Sequence, residues 1–111
     1  MINLLEETIE AIEGSGKKTE DVKWVGTEDK WCTWDDFKQI ADFEYENGFG
    51  GQEISYELII CGSDWWMERH EYDGSEWWEF KQSPKMPSVN SPLTKEDVRV
   101  MDIYEILNGK Y

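Results

Sequence analysis

The stretch Tyr56–Gln82, YELIICGSDWWMERHEYDGSEWWEFKQ, decides how this chain folds, because two turn signals divide it into strands of definite register. Asp73-Gly74 is a two-residue hairpin turn of the type that needs positive φ at both central positions. Gly62-Ser63 reads as a second two-residue turn, of the other primed type. With both loops two residues long, Cys61 pairs with Asp64 and Tyr72 with Ser75. Side chains alternate across a strand, so one face carries Tyr56, Leu58 and Ile60, then Trp65, Met67 and Arg69, then Trp78 and Phe80. This is the expected core face, on which Arg69 can lie over Trp78 as a cation and aromatic pair.

The same count sets Glu57, Glu68 and Glu79 opposite one another on the second face, one per strand, with His70 and Trp77 as the neighbouring cross-strand pair. Like charges directly across a ladder repel, so such a row needs either solvent or a ligand. Three readings follow. The row is a wet sheet face; or it is a docking surface, its carboxylates flanked by Trp66, Trp77 and Tyr72, for a basic partner; or Glu68, His70 and Glu79 form a metal site or an acid and base pair. One His with carboxylates is a weakly selective ligand set for Mn or Fe. Trp66 and Trp77 are the outward members of Trp65-Trp66 and Trp77-Trp78, and exposed Trp is enriched at binding hot spots.

Upstream, Ile2–Glu13 spaces Leu5, Ile9 and Ile12 as a helical stripe, with Leu4, Thr8 and Ala11 beside it, and Gly14-Ser15-Gly16 closes the helix. Asp21–Gly26 reads as a short strand, with a second at Trp31–Cys32. Thr33 is a good N-cap with Asp36 three residues on, and that helix is expected to run through Phe37, Ile40 and Ala41 toward Tyr45. Downstream, Ser83–Ser91 is a Pro-containing loop, and Thr94 with Asp97 opens a last helix through Val98, Val100, Ile103, Tyr104 and Leu107. The expected fold is a single α+β domain over residues 1–111. Its antiparallel sheet of three or four strands is packed on one face by about three helices, in the order α-β-α-β-β-β-α.

The chain has 111 residues, with 25 acidic against 11 basic side chains and a net charge of −14. From residue 83 onward acids and bases are equal in number, so the entire net charge lies in residues 1–82. Seven Trp, five Tyr and four Phe supply the apolar area that an acidic disordered chain lacks. Direct binding to a nucleic-acid backbone or an anionic membrane is disfavoured by this charge. No apolar run is long enough to span a membrane, and Glu6, Glu7 and Glu10 interrupt any signal-peptide pattern, so a cytoplasmic location is expected. Cys32 and Cys61 do not make a disulfide framework or a zinc site; Cys32, just before a helix, is the more activatable thiol. No nucleophile elbow, phosphate loop or zincin motif occurs, so no catalytic residue, resident metal or cofactor is assigned.

The segments Ala41–Gln52, ADFEYENGFGGQ, and Trp65–Lys81, WWMERHEYDGSEWWEFK, resemble parts of small acidic bacteriophage and prophage proteins of unknown function, over roughly residues 21–82. Small acidic phage proteins without a catalytic motif often inhibit host machinery. The general character is similar to that of acidic anti-CRISPR inhibitors, although no anti-CRISPR motif is matched. The resemblance therefore implies a non-enzymatic phage accessory protein, acting in the host cytoplasm as a nucleic-acid mimic. It would bind and inhibit a basic, nucleic-acid-binding host or defence protein, such as a CRISPR effector. Contacts are expected from Glu57, Glu68, Glu79, Trp66, Trp77 and His70, helped by acids of the middle helix such as Asp35, Asp36, Asp42 and Glu46. The alternatives are a small-ligand or metal-binding protein that uses the exposed Trp residues with the Glu and His cluster, and a virion or assembly component.

Overall fold

Asp73 and Gly74 take φ of 53° and 87° and turn strand β6 (Trp65–Tyr72) directly into strand β7 (Ser75–Gln82). This comes from a computed structural model that describes residues 1–48, 50–88 and 91–100. The ladder runs from Tyr72 opposite Ser75 to Trp65 opposite Gln82, as the Asp-Gly turn predicts. The first hairpin differs. Its turn residues are Ser63 and Asp64, Gly62 N–H donates to Trp65 C=O at 2.8 Å, and Cys61 pairs with Trp66 instead of Asp64. The reason is the Trp65 indole, which lies so close over Gly62 that a Cβ there would overlap the ring. Glycine is used here for close approach, not for the turn.

Moving a two-residue turn by one position shifts the register by two, so every side chain keeps its face while its neighbour changes. Strand β5 is Ile59–Cys61, and Ile59, not Glu57, stands opposite Glu68. Glu57 and Tyr56 fall in the turn before β5, where Leu58 N–H reaches Ser55 C=O. Tyr56 is 74% exposed, so it leaves the expected core face.

Among the described residues the sheet has five antiparallel strands, in the order β3 (Trp31–Cys32), β2 (Trp24–Gly26), β5, β6, β7, wider than the three or four expected. The additional width comes from β2 and β3, a hairpin that joins the free edge of β5. A row of Val25, Ile60, Met67 and Phe80 crosses the inner face, and the first three are buried.

The α+β class holds, with helices on the inner face. Helix α1 (Leu4–Gly14) is capped by Asn3, whose Oδ1 accepts from Glu6 N–H at 3.0 Å. The buried positions are Leu4, Thr8 and Ile12, with Leu5 and Ile9 flanking them. Thr8 can sit at the centre because its hydroxyl donates to Leu4 C=O and accepts from the Trp78 indole N–H at 2.9 Å. Helix α2 (Trp34–Ile40) is capped by Thr33, as expected, and buries Phe37. It stops at Ile40 because the following chain is committed elsewhere. Ala41 and Phe43 offer their C=O groups to the otherwise unbonded N–H groups of Leu5 and Leu4. Tyr45 then enters β4 (Glu44–Tyr45), paired with β1 (Ile2–Asn3) in a separate two-stranded sheet. A single exposed turn, α3 (Lys95–Val98), follows β7. The helix ends at Val98, because Arg99 is extended, and does not continue through Val100 as expected; Ile103 to Leu107 lie outside the described residues.

Arg69 lies over Trp78, 4.9 Å from the ring centroid, as predicted. What the sequence reading lacked was its counter-ion. Glu76 Oε1 meets Arg69 Nη2 at 2.9 Å, and neither side chain is exposed. Glu76 also accepts the backbone N–H groups of Glu53 and Ile54, and Glu7 reaches Arg69 Nη1 at 3.3 Å. Tyr45 OH donates to Glu7 at 2.6 Å and accepts from Arg69 at 3.1 Å. One buried charge thus ties α1, β4, the chain before β5 and the β6–β7 hairpin together. Burial alone would push the guanidinium down, but its bonds to Glu76 and Tyr45 outweigh that and hold it above its ordinary value.

Candidate functional site

The outer face of the five-stranded sheet has no covering layer among the described residues. Strand alternation brings four of the seven Trp side chains to this face: Trp24, Trp31, Trp66 and Trp77. Trp65 and Trp78 point inward into the core. Trp31 is 70% exposed and Trp24 36%. Gly26 lets the β2–β3 hairpin close this tightly, since a Cβ there would overlap Lys30 C=O and crowd Trp31.

Glu68 and Glu79 face each other across β6 and β7, as predicted. Their repulsion is offset locally, because each carboxylate is held by an indole two residues away on its own strand. Trp66 Nε1 donates to Glu68 at 2.9 Å, and Trp77 Nε1 donates to Glu79 at 2.8 Å. His70 Nε2 lies 3.0 Å from the other oxygen of Glu68. An ionised carboxylate only accepts, so that nitrogen carries the proton. The His70 bond first, and then the Trp66 bond, hold the Glu68 carboxyl below the ordinary carboxylate range. The His70 and Trp77 rings stand 6.3 Å apart.

Glu57 has left the ladder but not the face. It lines an open concavity of about 430 Å³ with Glu28, Tyr56, Ile59 and Glu68. Through Thr27 and Glu28 this adjoins a larger one, of about 580 Å³, built around Trp24 and Trp31 with Asp29 and Lys30. The two share Thr27 and Glu28 and form one trough at the β2–β3 end of the face; Glu28, Glu57 and Glu68 line its first part, and in the second Trp24 and Trp31 stand with Glu28, Asp29, Lys23 and Lys30. No group of three or more His, Cys, Asp or Glu side chains among the described residues is arranged to hold a metal ion. Glu68 is held by His70 and Trp66, and Glu79 by Trp77.

The remaining predicted acids lie elsewhere. Asp35 and Asp36 are on α2, in the helical layer behind the sheet, where Asp35 pairs with Lys38 at 3.2 Å. Asp42 accepts from Asn3 Nδ2 at 2.9 Å. Glu46 is exposed beside β4, its N–H bonded to Glu53. These four do not share a surface with Glu68 and Glu79. Conversely, Glu28, Trp24 and Trp31 were missed, although the sequence held one usable signal. Once Val25 is taken as buried, Trp24 must face outward. Cys32 is not an activated thiol, since burial and then nearby Asp36 push it up; burial does the same to Cys61.

No helix among the described residues is long and apolar enough to cross a membrane. Neither a protein-family model nor any curated protein or solved structure matches this chain.

Proposed function

We propose that this chain is a non-enzymatic binding protein whose outer sheet face docks a basic protein. The observation that carries the reading is the trough in which Glu28, Glu57 and Glu68 stand beside Tyr56, Trp24 and Trp31. Arg and Lys side chains are the natural complement of such a surface: the carboxylates accept charge-assisted hydrogen bonds, and the indole faces attract the cation. The net charge of −14 would steer a basic partner toward it. The resemblance to small acidic phage proteins supports a nucleic-acid-binding host or defence protein as the target, with inhibition as the outcome.

The test uses an oligo-arginine peptide and, separately, any basic protein captured from a bacterial lysate, with binding followed by tryptophan fluorescence and calorimetry. Affinity should fall with salt, and Glu28→Gln, Glu57→Gln and Glu68→Gln together should weaken it by about tenfold or more. Unchanged affinity and salt dependence in that triple variant would defeat the reading. The indole-lined concavity favours one alternative, a small neutral ligand stacked between Trp24 and Trp31. That alternative would show binding insensitive to salt and lost in Trp31→Ala.

A further inference from the structure

Among the described residues strand β7 has a neighbour on one side only. Its two-residue turn makes Tyr72 and Ser75 a hydrogen-bonded pair, so the odd-numbered residues of β7 bond β6. The backbone groups of Glu76, Trp78, Phe80 and Gln82 point away. Asn47 shows this phase directly: its Oδ1 accepts from Glu76 N–H at 2.8 Å and its Nδ2 donates to Glu76 C=O at 2.7 Å. Asn47 imitates an adjoining strand at that one position. Among the described residues nothing does so for Trp78, Phe80 or Gln82.

We infer that the free edge of β7 pairs with β7 of a second copy of this chain, antiparallel and centred on Phe80. In that register Phe80 faces the partner's Phe80, Trp78 faces the partner's Gln82, and edge-directed groups meet edge-directed groups throughout. Glu79 faces the partner's Lys81, and two-fold symmetry repeats the contact. Both side chains are available for it. Glu79 is bonded through one oxygen, to the Trp77 indole, and Lys81 makes no ion pair among the described residues.

The register also ends where hydrogen-bonding capacity ends. Glu76, already served by Asn47, would face the partner's Pro84, which has no N–H. The neighbouring registers do neither. Centred on Glu79, that carboxylate would face the partner's Glu79, and Gln82 the partner's occupied Glu76. Centred on Lys81, two Lys81 side chains would face each other, and Trp78 the partner's Pro84. Centred on Trp78, Phe80 would meet the partner's occupied Glu76, and Lys81 the partner's Ser75. Centred on Gln82, Phe80 would meet the partner's Pro84.

The pairing leaves the trough at the other end of the sheet open and does not depend on the docking reading. It also has the opposite salt dependence. Two copies of net charge −14 repel, so self-association should strengthen with salt as the repulsion is screened, whereas docking of a basic partner weakens.

Sedimentation equilibrium across protein concentration, at low and high salt, tests it. A monomer–dimer equilibrium is expected, shifted toward dimer by salt. Lys81→Glu and Glu79→Lys should each weaken the dimer about tenfold, because both attractive cross-strand contacts become repulsive, and the double exchange should restore it. Glu79→Lys reduces the net negative charge, so a general charge effect would strengthen association there instead. Gln82→Pro removes an edge N–H without touching the β6 ladder and should abolish the dimer while near-UV circular dichroism stays native. A monomer under every condition, strengthening by Glu79→Lys, failure of the double exchange to restore, or an unaffected Gln82→Pro dimer would each overturn the inference.

Discussion

Arg69 and Glu76 form an ion pair of 2.9 Å across the β6–β7 hairpin, and neither side chain touches solvent. They are diagonal neighbours on the inner face, since Arg69 stands opposite Trp78 and Glu76 is two residues before it. Removing one partner leaves a buried charge uncompensated. Glu76→Ala is therefore expected to cost about 3–5 kcal/mol, while replacing both residues with apolar ones of similar volume should cost less, because only the N–H groups of Glu53 and Ile54, and no charge, then lose their partner. Urea unfolding of the Glu76→Ala and Arg69→Met/Glu76→Leu variants measures this, and equal losses in the two would contradict it.

Burial, and next its bond to Glu7, push the Tyr45 phenol up to about 12. The ordinary value is about 10, so the folded protein holds this proton more tightly than the unfolded chain does. The associated stability is complete below about pH 10 and is lost as pH rises through about 12. Tyr45→Phe should be less stable at neutral pH, having lost buried hydrogen bonds, but its stability should fall less between pH 9 and pH 12. Parallel slopes for the two proteins would exclude Tyr45 as the titrating group.

Two glycines should behave oppositely. Gly62→Ala forces a Cβ into the Trp65 indole and is expected to cost about 1–3 kcal/mol through overpacking. Gly14, at the end of α1, has open space around it, so Gly14→Ala should be neutral or stabilising by about 0.5–1 kcal/mol. Thermal unfolding of both variants decides the matter.

Asn47→Ala leaves Glu76 N–H and C=O without their side-chain partners, at an expected cost of about 1–3 kcal/mol. The loss should be local. The amides of Glu53 and Ile54, which Glu76 also holds, should exchange with deuterium faster, while those of Met67 and Glu79, bonded within the sheet, keep their protection.

Both thiols are pushed up by burial, so little thiolate is present at neutral pH. Cys32 and Cys61 should react with a disulfide reagent more slowly than free cysteine does, and denaturant should remove the difference.

Much of the sheet was legible because local chemistry specified it. Asp73-Gly74 set the β6–β7 register residue by residue, and with it the pairs Glu68 with Glu79 and His70 with Trp77. Thr33 marked the start of α2 by the same kind of local signal. The Gly62-Ser63 turn was misplaced because Gly62 can serve either as a turn residue or as the floor beneath an indole. Only Trp65 chooses between these. That choice removed Glu57 from its row, then returned it to Glu68 through a concavity that no turn length predicts.

The sequence by itself determined the alternation of faces, since a strand's period of two survives an error in the turn. It thereby identified which side is core, that Arg69 lies there against Trp78, and that Glu68, Glu79, Trp66 and Trp77 face outward. Tertiary structure alone decided that the β2–β3 hairpin joins β5, carrying Trp24, Trp31 and Glu28 to the same face. It also decided that α2 gives way at Ala41 so that the C=O groups of Ala41 and Phe43 can serve α1, and that Glu76 is the partner of Arg69. These contacts join residues distant along the chain. They follow from which unsatisfied N–H, carbonyl or charge has no partner nearer at hand, and that is settled only when the layers close on one another.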